Sequence, residues 1–155
     1  MPEKSSLILA LRDLMSECDM FNVLLPDELQ AAARYFSTNK IPQGKIIFRE
    51  GDAGTFMGIL TTGTVAVYKA NTEQKNIQIA TLPQGRSFGE MAVLDGERRS
   101  AMCVTATECT LLILSKDSLD KMLTENPRVG AKVIRAIAVS LSRRLRVADG
   151  KLVDT

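Results

Sequence analysis

Glu90 and Arg99 stand nine positions apart in the stretch RSFGEMAVLDGERRSAMCV, residues 86–104. Gly89 precedes the acid, and Ser100-Ala101 follow the base. An ionised carboxylate only accepts hydrogen bonds, so Glu90 suits a pair of hydroxyls such as a ribose edge. A guanidinium offers a planar fork of donors that fits a phosphate better than a lysine does. Gly89 lets the chain turn tightly and lets a ligand approach its N–H. If Met91–Leu94 form one helical turn, its free N–H groups favour an anion. Small Ser100 and Ala101 keep the wall open, and their amides can reach phosphate oxygens. These types and spacings fit a ribose and a phosphate within one small molecule. The competing reading is a Glu90–Arg99 salt bridge that closes a surface loop.

The rest of the composition narrows the chemistry. The chain has 155 residues and no histidine, which removes Ser-His and Cys-His nucleophiles, imidazole acid–base work and nearly every zinc site. Cys18, Cys103 and Cys109 lack CxxC spacing and read as buried thiols. No catalytic residue and no metal ligand is assigned, so an enzyme is not expected. A net charge of +2 gives no overall pull toward nucleic acid or acidic membranes. No apolar run approaches the roughly 18–20 residues of a membrane span. The segment SSLILALRDLM is too short and too soon charged to resemble a signal peptide. A cytoplasmic location is the default.

The elements that must position these residues are marked by glycine. Eight of the ten glycines lie between Gly44 and Gly96, which predicts helical ends around a turn-rich β middle. The length fits a single domain over 1–155, with N-terminal helices over about 1–38, a β-roll over 40–115 and C-terminal helices over 116–149. In LPDELQAAARYF, residues 25–36, the comb Leu29, Ala32, Ala33, Phe36 has helical spacing, with Pro26 in its first turn. KIIF, FMGIL, VAVY, IQIATL, AMCVTA and LLIL read as short strands of an antiparallel sandwich or barrel. Ser115 caps a helix that buries Leu119, Met122 and Leu123. Pro127 opens a last helix running to about Gly150, with Val133, Ile134, Ile137, Leu141, Leu145 and Ala148 as its apolar stripe. That stripe is longer than a small barrel needs, so part of it is expected to meet a ligand or a partner chain.

FGEMAVLDGERRSA, residues 88–101, resembles the phosphate-binding cassette of cyclic nucleotide-binding domains. LLPDELQAAARYF, IPQGKIIFREGD, the Gly63–Tyr68 segment and ILSKDSLDKML fall in that family's order, so the likeness runs from about residue 21 to 148. The resemblance implies an α+β fold: an antiparallel β-roll (a double-stranded β-helix or jelly roll) of about eight strands, with N-terminal helices and two C-terminal helices. It implies that Glu90, helped by the Gly89 backbone, holds the ribose 2′-hydroxyl. Arg99, Ser100 and the Ala101 N–H would hold the cyclic phosphate. Gly51 and Gly63 match structural turn glycines.

The base is less legible. Ser100 stands where family members of either base preference carry Ser or Thr. Where catabolite activator proteins place a Thr-Ser pair against adenine, this chain has Ala148-Asp149. Asp149 is a candidate base contact, able to accept from guanine, or else a solvated residue beside Gly150. Arg144 is a second candidate, as a lid over the base. Arg143, Arg144 and Arg146 are otherwise explained by the dipole of a helix ending nearby. Cyclic AMP and cyclic GMP both stay open as ligands, with cyclic AMP favoured slightly, and no other cofactor is implied. Only Lys151–Thr155 follow Gly150, so no DNA-binding domain, and no DNA partner, is expected. The expected function is a stand-alone cyclic nucleotide sensor whose C-terminal helix presents a changing surface to a protein effector. A homodimer through that helix is the expected self-association. The alternative is a scaffold that keeps the fold without binding a ligand.

Overall fold

Strands form where apolar residues alternate between glycine turns, and the most buried of them lie inside their sheets. In a computed structural model that describes the backbone of residues 2–154 and the side chains of residues 6–148, β3 (Phe56–Thr62) pairs antiparallel with β8 (Cys109–Ser115). Leu60 stands opposite Leu111, and both are fully buried. β1 (Ser37–Ile41) and β6 (Ser87–Phe88) flank them, giving the order β1-β8-β3-β6. The second sheet runs β2-β7-β4-β5, made of Ile46–Phe48, Met102–Thr105, Val65–Ala70 and Asn76–Leu82 respectively. Every pairing is antiparallel. Phe48, Leu60, Val65, Phe88, Cys103, Cys109 and Leu111 form the apolar interior of the roll. The β3–β4 turn requires Gly63. Its φ is +93°, and a Cβ there would fall 2.4 Å from the Glu108 carbonyl oxygen.

The helices build a second core against the outside of the first sheet. α1 (Pro2–Ser16), a 3-10 turn at Asp19–Phe21 and α2 (Pro26–Ala33) precede the roll. α3 (Glu90–Asp95) interrupts it, and α4 (Lys116–Glu125) and α5 (Pro127–Asp154) follow. Met15, Phe21, Ala32, Phe36, Leu119, Met122, Val133 and Ile137 pack there with Met57, Ile59, Leu112 and Leu114 of the roll. Ser115 Oγ accepts the Ser118 N–H at 3.0 Å, the expected cap of α4. Glu28 Oε1 accepts from Leu25 N–H at 2.9 Å and from Lys132 Nζ at 2.7 Å, which ties the start of α2 to α5. The three cysteines are free and buried. Among the described residues no helix is long and apolar enough to cross a membrane.

Several expectations shift. α2 ends at Ala33, because Tyr35 and Phe36 N–H bond the Ala32 and Ala33 carbonyls in a tightened turn. Phe36 then drops into the core, and β1 starts at Ser37 instead of residue 40. α5 runs through Gly150 to Asp154; a helical glycine costs only about 1 kcal/mol against alanine, too little to stop a helix by itself. Arg143, Arg144 and Arg146 therefore stand more than a turn from the helix end, beyond the reach of the terminal dipole. The apolar stripe is also shorter than its spacing implies. Val133 and Ile137 are buried and Leu141 is half-buried, but Leu145 is 63% exposed and Ala148 is exposed. They lie past Arg144, which still reaches the roll through Ser87.

Candidate functional site

The cassette is built where β6 runs into α3. Ser87 and Phe88 are buried, and Gly89 turns the chain at φ +74° so that Glu90 opens the helix. The left-handed backbone angle favours glycine, and a Cβ there would lie 2.5 Å from Arg99 Nη1 and push the guanidinium aside. After α3 the chain returns through Glu97 and Arg98. Arg99 N–H then bonds the Asp52 carbonyl, and Gly51 N–H bonds the Arg99 carbonyl, each at 2.8 Å. This pair of backbone bonds fixes Arg99 against the turn between β2 and β3.

Glu90 and Arg99 are 2% and 6% exposed, yet they do not pair with each other. Glu90 Oε2 forms its ion pair with Arg144 of α5, while Glu90 Oε1 is buried with no hydrogen-bond partner. Arg99 spends its donors on carbonyls: Nη2 to Phe56 O at 2.5 Å and Nη1 to Gly89 O at 3.4 Å. Its guanidinium lies 3.9 Å from the Phe48 ring centroid and 4.7 Å from that of Phe56, a favourable but incomplete replacement for an anion. Arg99 Nε is buried without a partner. Desolvation pulls the Arg99 pKa below the ordinary arginine value, outweighing the opposing influence of Cys103 and Asp52. The surface salt bridge between Glu90 and Arg99 is thus replaced by two buried charges, each with a polar atom left over.

Both charges border one cavity of about 300 Å³, at the small end of ligand pockets. Gly89, Glu90, Arg99, Ser100 and Ala101 all line it. Among the described residues no backbone hydrogen bond uses the Ser100 or Ala101 N–H, while Lys69 Nζ donates to the Ser100 carbonyl at 2.7 Å. Val67, Ala80, Leu82 and Leu141 supply an apolar part of its wall. Arg144 closes the cavity from α5, donating to Ser87 Oγ at 2.9 Å and Ser140 Oγ at 3.3 Å besides its pair with Glu90. Asp149 lies outside the residues whose side chains are described. Among the described residues no group of three His, Cys, Asp or Glu could hold a metal.

Phe48 and Phe56 under the guanidinium, Ser87 behind Arg144, and Val67, Ala80 and Leu82 of the apolar wall are not announced by the sequence. Leu141, by contrast, belongs to the α5 stripe expected in part to meet a ligand or a partner. Ser87 was the most findable, since it adjoins Phe88-Gly89-Glu90. The two phenylalanines come from strands 43 or more residues before Arg99, and no local pattern links them to it.

Two antiparallel sheets, a helical turn between β6 and β7, and a buried acid and a buried base on one cavity define the class: a β-roll with a partly polar cavity. The chain belongs to the cyclic nucleotide-binding domain family, whose match spans residues 38–126. Over 138 residues it is 33% identical to a "Cyclic AMP receptor protein" of Thermus thermophilus, covering 89% of this chain and 62% of that one. This chain thus spans about three-fifths of that relative's length. Among solved structures, a cyclic nucleotide-binding domain from Methylobacillus flagellatus superposes with a TM-score of 0.82 at 27% identity, covering 97% of this chain and 85% of the other. The Thermus thermophilus catabolite activator protein gives a TM-score of 0.74 at 34% identity, covering 86% and 61%.

Proposed function

We propose that the cavity binds a cyclic nucleotide and that the chain acts as a sensor whose output is α5. The observation that supports this most is the buried Arg99, whose guanidinium, among the described residues, hydrogen-bonds only carbonyls, lies over two aromatic rings and leaves Nε unpartnered. A buried cation is costly unless it is paired, and a cyclic phosphate supplies the missing anion. Ser100 and Ala101 N–H would take further phosphate oxygens. Glu90 Oε1 is open to a ribose 2′-hydroxyl while Oε2 remains with Arg144.

Cyclic AMP is the favoured ligand. The wall of Val67, Ala80, Leu82 and Leu141 is apolar, and guanine, with two donor groups on its pairing edge against one for adenine, has more to strand there. The relative named a cyclic AMP receptor protein supports the same choice. Arg144 and Leu141 bring α5 into the cavity wall, so a bound nucleotide rearranges or tightens that helix. Signalling would pass through this helix to a protein effector, and exposed Leu145 and Val147 would serve a second copy of the chain. A sedimentation mass that stays monomeric at every concentration removes the dimer.

The test is a thermal titration with each nucleotide, on protein stripped of carried-over ligand. A ligand at 100 times its dissociation constant adds about 2.7 kcal/mol of stability, and cyclic AMP should reach that effect at the lower concentration. No shift with either nucleotide favours the non-binding scaffold.

A further inference from the structure

A second cavity, about 580 Å³, lies on the other side of Arg144. It runs between α5, the segment around the Asp19–Phe21 turn and the Gly85–Ser87 turn that leads into the cassette. Its wall carries four arginines, Arg86, Arg135, Arg143 and Arg144, and a single carboxylate, Asp19. Among the described residues only Arg144 of these four has an ion pair. Arg86 Nε is buried without a hydrogen-bond partner. Like charges gathered in one cleft repel unless an anion joins them.

The apolar residues of the same cleft say what kind of anion fits. Arg135, Val139 and Arg143 follow one another at four-residue steps on α5, so Val139 sits between the two arginines on one face. The arginines are about 12 Å apart along the helix axis. Val139 is 40% exposed, and Val23 from the opposite wall is 57% exposed. A free phosphate would satisfy the guanidinia and leave both valines in water. A peptide segment with carboxylates flanking an apolar side chain answers both features.

We propose that this cleft is a docking groove for an acidic, apolar-anchored segment of a partner protein. Arg135 and Arg143 hold the segment's carboxylates, and Val23 and Val139 receive its apolar residue. Arg86 contributes from the turn before the cassette. Arg144 borders both cavities, so the groove and the nucleotide cavity share one side chain. Whatever moves Arg144 in one cavity changes the affinity of the other, and the coupling is reciprocal. That coupling, unlike the docking itself, rests on the nucleotide reading given above.

The test begins with selection of peptides from an unbiased random 16-residue displayed library on the full chain. Enriched peptides should carry Asp or Glu on either side of an apolar residue. Their affinity, measured by fluorescence anisotropy, should fall at least tenfold in the double variant Arg135→Glu/Arg143→Glu. It should change less than twofold in Lys45→Glu/Lys121→Glu, which makes the same charge change at exposed sites outside the groove. Unchanged circular dichroism and melting midpoint in both variants keep folding out of the comparison. No enrichment, enrichment without acidic bias, or equal losses in the two variants would each overturn the groove. Saturating cyclic AMP should change peptide affinity at least threefold. If calorimetry shows that cyclic AMP binds and peptide affinity does not move, the coupling is wrong and the groove stands. If calorimetry shows no nucleotide binding, the nucleotide reading fails, and the variant comparison still decides the groove.

Discussion

The polar and apolar ends of the cassette cavity are built in opposite ways. At the cassette end, Gly89, Glu90, Arg99, Ser100 and Ala101 come from one stretch of chain, are polar or small, and leave charged atoms unpartnered. At the other end, Val67, Ala80, Leu82 and Leu141 come from three elements, are apolar, and form no hydrogen bonds through their side chains. On the proposed reading, ligand groups at the first end would be selected by charge and direction. At the second they would be selected by burial and shape. Several directed charge-assisted bonds at about 1.5–3 kcal/mol each add at the cassette end, whereas a change of one methylene at the apolar end shifts discrimination by about 1–3 kcal/mol in all. The cassette end should therefore dominate affinity, and the apolar wall should tune which base is preferred.

The largest expected loss comes from Arg99→Ala. Removing two or more charge-assisted bonds to phosphate should weaken cyclic AMP binding by at least about a hundredfold. Calorimetry reads the affinity, and circular dichroism confirms the fold. Glu90→Gln keeps the size of the side chain but not its charge, and should cost about tenfold in affinity. It also removes the ion pair to Arg144, so hydrogen exchange along the adjoining part of α5 should quicken. An equal loss for Glu90→Gln and Arg99→Ala would blur the distinction between sugar and phosphate roles.

Gly89→Ala strikes the geometry that serves both charges. With φ at +74° and Arg99 Nη1 2.5 Å from the new Cβ, it should destabilise the chain by about 1–3 kcal/mol. The melting midpoint should drop, and binding should weaken with it. At the apolar end, Leu141→Ala should cost only a few-fold in affinity and should narrow the preference between cyclic AMP and cyclic GMP. A hundredfold loss there would reverse the ranking of the two ends.

The smallest effect concerns Cys103, which lines the same cavity. Burial raises its thiol pKa to about 11, with Arg99 pulling the other way. A thiol with a raised pKa stays protonated at pH 8, and only the thiolate is the nucleophile. Alkylation at pH 8 should therefore be slow in the folded chain and should accelerate as pH approaches 11. Fast modification at pH 8 would mean that the cavity wall opens.

The same contrast explains what the amino-acid string disclosed. The cassette was legible because its chemistry is local: an acid, a base and small residues within fourteen positions. Six strands were legible as apolar runs between glycines. β1 was not, because Ser37–Lys40 are all exposed, and the strand exists through its pairing with buried β8. β6 has only two residues and is defined by contact with β3. Arg144 was visible as a basic residue near the cavity, but its pairing with Glu90 requires α5 to cross the cassette, which no spacing within either segment announces. The apolar wall depends on β4, β5 and α5 meeting in three dimensions. Burial at that end is set by tertiary packing, not by local pattern.

One calorimetric titration tests the central claim most directly: cyclic AMP into the wild-type chain and into Arg99→Ala, both stripped of ligand. The account predicts saturable one-to-one binding at micromolar or lower dissociation constant in the wild type, about −8 kcal/mol or better, and loss of that binding in a variant that remains folded. Absence of binding in the wild type, or the same affinity in both proteins, would contradict it.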